Sequence, residues 1–106
     1  MREMLVALLE SEGFEVKTAS NGAEALECLD QRRPSVILLD LMMPVMTGDE
    51  FRQRQLADPR HRDVPVICMT AAHDGRDRAL RIRADAYFQK PLDFERLVGA
   101  LRKHVL

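Results

Sequence analysis

A chain of 106 residues with 46% apolar and 31% charged side chains has the size and composition of one compact domain with its own core, and no room for a second. The formal net charge of -1 does not suit a dedicated nucleic-acid binder, which is usually basic, and no apolar run is long enough to cross a membrane. The opening stretch "MREMLVALLESEGF" carries Glu3 and Glu10 and lacks a cleavage site, so it does not read as a secretory signal.

Along the chain, Met1, Met4, Leu5 and Leu8 recur at a helical period, and Gly13 is placed to end that helix. "FEVKTA" (14–19) alternates like a short strand. Asn21, with Glu24 three residues on, resembles a capping box for a helix through Ala25, Leu26 and Leu29, which Pro34 ends from outside. "SVILLD" (35–40) is a continuous apolar run, as in a parallel strand covered on both faces. Thr47 and Glu50 form a second cap-like pair before a weaker helix, "EFRQRQLA". "VPVICMT" (64–70) is another buried run, with Pro65 tolerable near its start. "HDGRDRALRIRA" reads as a short helix and "DAYFQK" as a short strand. Asp93 caps a last helix whose stripe is Phe94, Leu97, Val98, Leu101 and Val105, with Arg102, Lys103 and His104 in the last turn, where the helix dipole favours positive charge. Cys28 and Cys68 sit singly within apolar patterns, as free thiols of a cytoplasmic protein do, and His61, His73 and His104 show no ligand-like spacing to them or to each other. Strands alternating with helices imply a three-layer α/β/α fold, a parallel sheet with helices on both faces.

In such sheets function sits at the carboxyl ends of the strands. Asp40 ends one buried run, Thr70 the next, and Lys90, followed by Pro91, the last strand. Singly each is ordinary: an acid opening a turn, a strand threonine, a solvated lysine. Together, with Pro44 and Gly48 following Asp40, they place a carboxylate, a hydroxyl and an ammonium at one edge. Such a trio supports phosphoryl transfer onto a carboxylate: Asp40 as nucleophile, Lys90 offsetting phosphoryl charge, and Thr70 donating a hydrogen bond.

The segments "ILLDLMMPVMTG", "PVICMTA" and "ADAYFQKP", with the intervals between them, resemble the receiver domains of two-component response regulators, and the resemblance runs from Met1 to Leu106. It implies a flavodoxin-like (CheY-like) sheet of strand order 2-1-3-4-5. It also implies that Asp40 accepts a phosphoryl group from a sensor histidine kinase or phosphotransfer protein and that Lys90 pairs with the phosphorylated carboxylate. Thr70 would shift toward the phosphate, Tyr87 would be the aromatic switch that fills the space Thr70 leaves, and Asp40 with the backbone carbonyl of Met42 would hold Mg2+. Apolar Met42 and Ala72 cannot position a water by hydrogen bonding, so any aspartyl phosphate should hydrolyse slowly.

The chain also departs from the family pattern. The first strand and its acidic pair are missing, and Glu3, Glu10 and Glu12 are not placed to replace them. Magnesium binding should therefore be weak and phosphorylation slow or absent. In the family order the missing strand is central, so its loss should leave "FEVKTA" and "SVILLD" to close up directly, to take a strand from a second copy in a homodimer, or to form a marginal domain. An over-short start at an internal Met is the reading adopted. Arg83 stands where the family often has Gly at a helix end. Arg76, Arg78, Arg81 and Arg83 read as a solvated face balanced by Asp74, Asp77 and Asp85, or alternatively as a docking face for an acidic partner. Since no DNA-binding segment follows Leu106, the expectation is a stand-alone cytoplasmic receiver, not an enzyme in its own right, with no nucleic-acid or membrane partner. The alternatives are a phosphorylation-independent interaction or dimerisation module, and an aspartate-nucleophile phosphatase. The last needs a second acid where Met42 stands.

Overall fold

The apolar runs become the sheet. In the computed structural model, which describes residues 2–42 and 45–105, β1 (Ile37–Asp40), β2 (Val66–Thr70) and β3 (Ala86–Gln89) lie parallel in the order β1-β2-β3. Leu39 sits opposite Cys68, and Cys68 opposite Tyr87. The helices are α1 (Arg2–Ser11), α2 (Gly22–Gln31), α3 (Gly48–Ala57), α4 (Gly75–Arg81) and α5 (Phe94–Arg102). None is long and apolar enough to cross a membrane.

Side chains alternate across a strand, so β2 feeds two cores. Val66 and Cys68 join Leu29 of α2, Phe51 of α3 and Ala79 of α4 on one face. Ile67 joins Leu9 of α1 and Leu97, Val98 and Leu101 of α5 on the other. Val66, Ile67 and Cys68 are all at 0% exposure, the mark of a central strand covered by helices on both sides. The result is the three-layer arrangement expected from the alternation of elements, with the flavodoxin-like layering that the family resemblance implies.

The predicted caps form. The Asn21 side chain accepts from Glu24 N at 2.9 Å, Thr47 from Glu50 N at 3.1 Å and Asp93 from Arg96 N at 3.2 Å. The reciprocal arm of the first box lands one residue early, with Ser20 N donating to Glu24 Oε1. Gly13 takes φ +94°, the left-handed backbone that ends α1.

The expected strand over residues 14–19 does not form. A strand exists by pairing, and among the described residues none pairs with this segment or with the edge of β1 away from β2. The two segments therefore do not close up directly. The alternation still sets which side chains turn inward: Phe14 and Val16 pack on the α1–α5 core.

Helix α3 explains its weak sequence signal. Its buried face includes Arg52, 5% exposed, and Gln55, 0% exposed. Gln55 Nε2 donates to the carbonyls of His61 and Val64, each at 2.9 Å, and its Oε1 accepts from Arg52 Nη1 at 2.8 Å. Arg52 Nε and Nη2 donate to the carbonyls of Ile82 and Arg83 at 3.0 and 2.9 Å. Arg83 itself has φ 56°, so the helix end expected to be strained does adopt the left-handed backbone. That costs a non-glycine residue about 1–2 kcal/mol, and the charged donors of Arg52 on the two adjoining carbonyls offset it.

Gln55→Met keeps the volume but strands two carbonyls, so urea unfolding should show a loss of about 1–3 kcal/mol. Gln53→Met, on the exposed side of the same helix, should stay within about 0.5 kcal/mol of the parent. Equal effects would show that the buried amide does not anchor this region.

Candidate functional site

Parallel pairing puts the carboxyl ends of β1, β2 and β3 along one edge. Asp40 pairs with Met69, and Thr70 with Gln89. Two further backbone bonds extend the ladder past the strand ends: Leu41 N donates to Met69 O at 3.1 Å and Lys90 N to Thr70 O at 2.9 Å. Across the strand between them, Lys90 Nζ lies 2.7 Å from Asp40 Oδ2. Met42 N donates to Asp40 Oδ1 at 2.9 Å. Both carboxylate oxygens are thus held. With 29% of the Asp40 side chain and 36% of the Lys90 side chain exposed, the pair remains within reach of a second molecule.

Thr70 stands at the same edge, fully buried, and its Oγ1 accepts from Ala72 N at 3.1 Å. Its methyl faces the first residue of α4. A Cβ built on Gly75 would lie 2.3 Å from Thr70 Cγ2 and 2.7 Å from the Tyr87 hydroxyl, so only glycine permits this approach. Tyr87 is half-buried and packs on the core beneath α2, α3 and α4, not outward as a bare strand aromatic. The structure therefore brings Asp40 and Lys90 into direct contact and puts Thr70 and Tyr87 together beside them, under the start of α4.

The two ends of the loop after Asp40 pack against each other. Leu41 is 1% exposed, and a Cβ on Gly48 would come within 2.9 Å of Leu41 Cα. Val45, 83% exposed, takes φ 68°, which is uncommon for a β-branched residue and stores strain five residues after Asp40. Pro44, the other half of the expected turn, lies outside the described residues. Over this loop reaches a group that the sequence reading placed on a solvated face. Arg78 of α4 has Nη1 3.4 Å from Met42 Sδ and Nη2 3.3 Å from Asp49 Oδ2. Asp49 is four residues from the loop strain at Val45, and nothing local in the sequence marks its pairing with Arg78.

A family model for the response regulator receiver domain matches residues 1–102. The chain belongs to the response-regulator receiver family. It is 36% identical over 104 residues to the phosphate regulon transcriptional regulatory protein PhoB of Pseudomonas aeruginosa, covering 96% of this chain and 45% of that protein. Response regulator Rre1 of Synechocystis is 34% identical, with 96% and 46% covered. The chain thus spans about half the length of the curated relatives it matches. Among solved structures, the receiver domain of sensor histidine kinase PA1611 from Pseudomonas aeruginosa superposes with a TM-score of 0.88 at 27% identity, covering 97% of this chain and 86% of that one. Chemotaxis response regulator CheY4 of Vibrio cholerae superposes with a TM-score of 0.85 at 30% identity, covering 98% and 88%.

The PA1611 receiver is described with a magnesium ion coordinated in its active-site cleft. In the present receiver, no group of three His, Cys, Asp or Glu ligand atoms among the described residues includes Asp40. Both Asp40 oxygens already accept hydrogen bonds. One carboxylate and the Met42 carbonyl fall short of the near-octahedral oxygen shell that magnesium requires, so these residues do not by themselves make a magnesium site.

Three such groups do converge elsewhere, at Asp30, Asp58 and His61. Helix α3 runs from the end of β1 back to the start of β2, so this cluster sits toward the amino ends of the strands, away from Asp40. His61 Nε2 lies 3.0 Å from Asp30 Oδ1, and Arg60 Nη2 lies 3.1 Å from that same oxygen and 2.8 Å from Asp58 Oδ2. The chain's own guanidinium already occupies the cation position, and the cluster clasps α2 to the segment after α3.

The Arg60 side-chain hydrogen bond, then the Arg60 backbone bond, hold the Asp58 carboxyl at about 2, below its ordinary 3.8. A carboxylate lowered in the folded state stabilises above its unfolded value and loses that contribution as pH falls toward the folded one. Water screens the exposed pair, so the effect is small. Asp58→Asn should shallow the fall of Tm between about pH 4 and pH 2; an unchanged acid limb would show that the Arg60 bonds carry no linkage.

Proposed function

We propose that this receiver domain is a phosphoacceptor whose Asp40 takes a phosphoryl group from the phosphohistidine of a sensor histidine kinase or phosphotransfer protein. An Asp40 oxygen forms the new O–P bond, the donor's N–P bond breaks, and the departing imidazole takes up a proton. The observation that carries this reading is the 2.7 Å contact between Lys90 Nζ and Asp40 Oδ2 at the strand ends. The ammonium is already where charge must be offset when a phosphoryl group meets a carboxylate.

Transfer would leave a dianionic group beside Thr70. Turning the Thr70 hydroxyl toward it exchanges the bond from Ala72 N for a charge-assisted one. Because the Thr70 methyl and Tyr87 hydroxyl both press on Gly75, the exchange would be felt at α4, and through Tyr87 on the surface of α4, β3 and α5. Met42, 64% exposed, and Ala72 offer an attacking water no hydrogen bond, which favours a long-lived phosphate.

A second reading, a phosphorylation-independent interaction module, draws support from the short donor set for magnesium. Some relatives are described as DNA-binding response regulators. Their output belongs to proteins about twice the length of this chain, so the proposal here extends only to the receiver step and to a cytoplasmic setting.

Intact-mass analysis after incubation with a small acyl phosphate, with and without magnesium, separates the two readings. The parent should slowly gain one phosphoryl group with little dependence on magnesium, and Asp40→Asn should gain none. Lys90→Met should slow the gain by about 10²-fold. No gain by the parent in either arm would refute the phosphoacceptor reading and leave the binding module.

A further inference from the structure

Between α3 and α4 runs an open groove of about 540 Å3, whose lining includes neither Asp40 nor Lys90. Leu56 and Ile82 line it with apolar surface, Arg52 is set into its wall, and Arg81 and Arg83 stand exposed on its rim.

The charges in this groove do not balance. Among the described residues, no carboxylate lies within ion-pair distance of Arg52, Arg81 or Arg83. Asp49, at one end of the groove, shares its ion pair with Arg78. Asp85, expected to offset the arginine-rich segment, instead accepts from Val66 N at 2.7 Å and caps the start of β2. Arg52 is the sharper case. It is 5% exposed, yet its partners, two carbonyls and the Gln55 amide, are all neutral. Burial pushes its guanidinium down from its ordinary value, and the more distant Asp85 only partly restores it. A buried cation with neutral partners gains from any anion brought close to it. The chain as a whole carries a formal charge of -1, so the positive groove is a local arrangement and not a consequence of composition.

We infer that the α3–α4 groove is a docking site for an acidic peptide segment of a partner protein. Carboxylates of the segment would meet Arg81 and Arg83, and an apolar side chain between them would cover Leu56 and Ile82. From Asp49 to Ala57 the groove follows α3 for about 12 Å by helical rise, room for about four extended residues. An open seam between two helices suits a peptide better than a small anion, which is usually enclosed. None of the groove's arginines takes part in the proposed phosphoryl transfer, so this inference stands apart from that reading.

The test uses a fluorescein-labelled peptide of alternating glutamate and leucine, its glutamine counterpart, and fluorescence anisotropy at two salt concentrations. The acidic peptide should bind, more weakly as salt rises, and the glutamine peptide should not. Arg81→Gln combined with Arg83→Gly should weaken binding by about tenfold or more. Glycine suits the left-handed backbone at position 83, so that variant keeps its fold, and phosphoryl labelling of Asp40 should be unaffected. Equal binding of the two peptides, no binding of the acidic one, or an undiminished affinity in the double variant would overturn the inference. So would a concentration-dependent dimer of the parent that the double variant abolishes, which would make the occupant a second copy of this chain.

Discussion

The arrangement depends on the backbone ladder of β2. Asp40 and Lys90 belong to strands that never touch each other, and their contact exists because β2 sets the register of both. Met69 O holds the residue after Asp40, and Thr70 O holds Lys90. Strand β2 can act as a ruler because its first three residues are wholly out of water on both faces. Slipping it by one residue would exchange the two cores, turning Val66 and Cys68 toward α1 and α5. The cost of that exchange protects the geometry at the strand ends, although no strong local bond is needed there.

The helices on one face are held differently from those on the other. Helices α1 and α5 meet the sheet through aliphatic side chains, Leu9, Leu97, Val98 and Leu101. Behind the Asp40 edge, α3 also reaches outward with polar groups. Gln55 gathers the carbonyls of the segment before β2, and Arg52 gathers those after α4. Hydrogen bonds of this kind have direction, so they fix where two irregular segments start and stop in a way that apolar packing does not. The uncompensated charge of Arg52 accompanies this use of a long multi-donor side chain as a clamp.

These differences decide what could be read from the residues alone. The continuous runs 36–39 and 66–69, the Asn21, Thr47 and Asp93 caps and the stripe of α5 from Phe94 to Leu101 are local signals, and each has its expected structural counterpart, while Val105 falls beyond the end of the helix. The meeting of Asp40 and Lys90 followed from one topological rule about strand ends. Residues 14–19 misled because alternation states which face is apolar but not whether a pairing partner exists. Helix α3 looked weak because Arg52 and Gln55 carry no apolar signal, yet they are core residues whose partners lie up to 31 positions away. Asp85 looked like a counter-charge to its arginine neighbours, while its carboxylate serves a strand 19 positions earlier. His61 showed no ligand-like spacing to a cysteine or another histidine; Asp58 lies three residues before it, and Asp30 is brought to it only by the packing of α2 against α3. In each case the missing information was the partner, not the chemistry of the residue.

Helix α4 shows how these constraints combine. It has only 7 residues and is fastened at both ends. At its start, Gly75 sits so close to Thr70 and Tyr87 that a side chain at this position would not fit. At its end, the carbonyls of Ile82 and Arg83 are bound by Arg52, with Arg83 held in a conformation it would otherwise avoid. Midway, Arg78 ties it to Asp49 and to the loop after Asp40. A helix this short is a stiff body, with no room for a kink to absorb displacement between its ends. Its other end carries the carbonyl bonds to Arg52 and contributes Arg81 to the α3–α4 groove. The Asp40 edge and the groove are separate in chemistry, but one short helix reaches both, Gly75 packing beside Thr70 at its start and Arg81 lining the groove at its end.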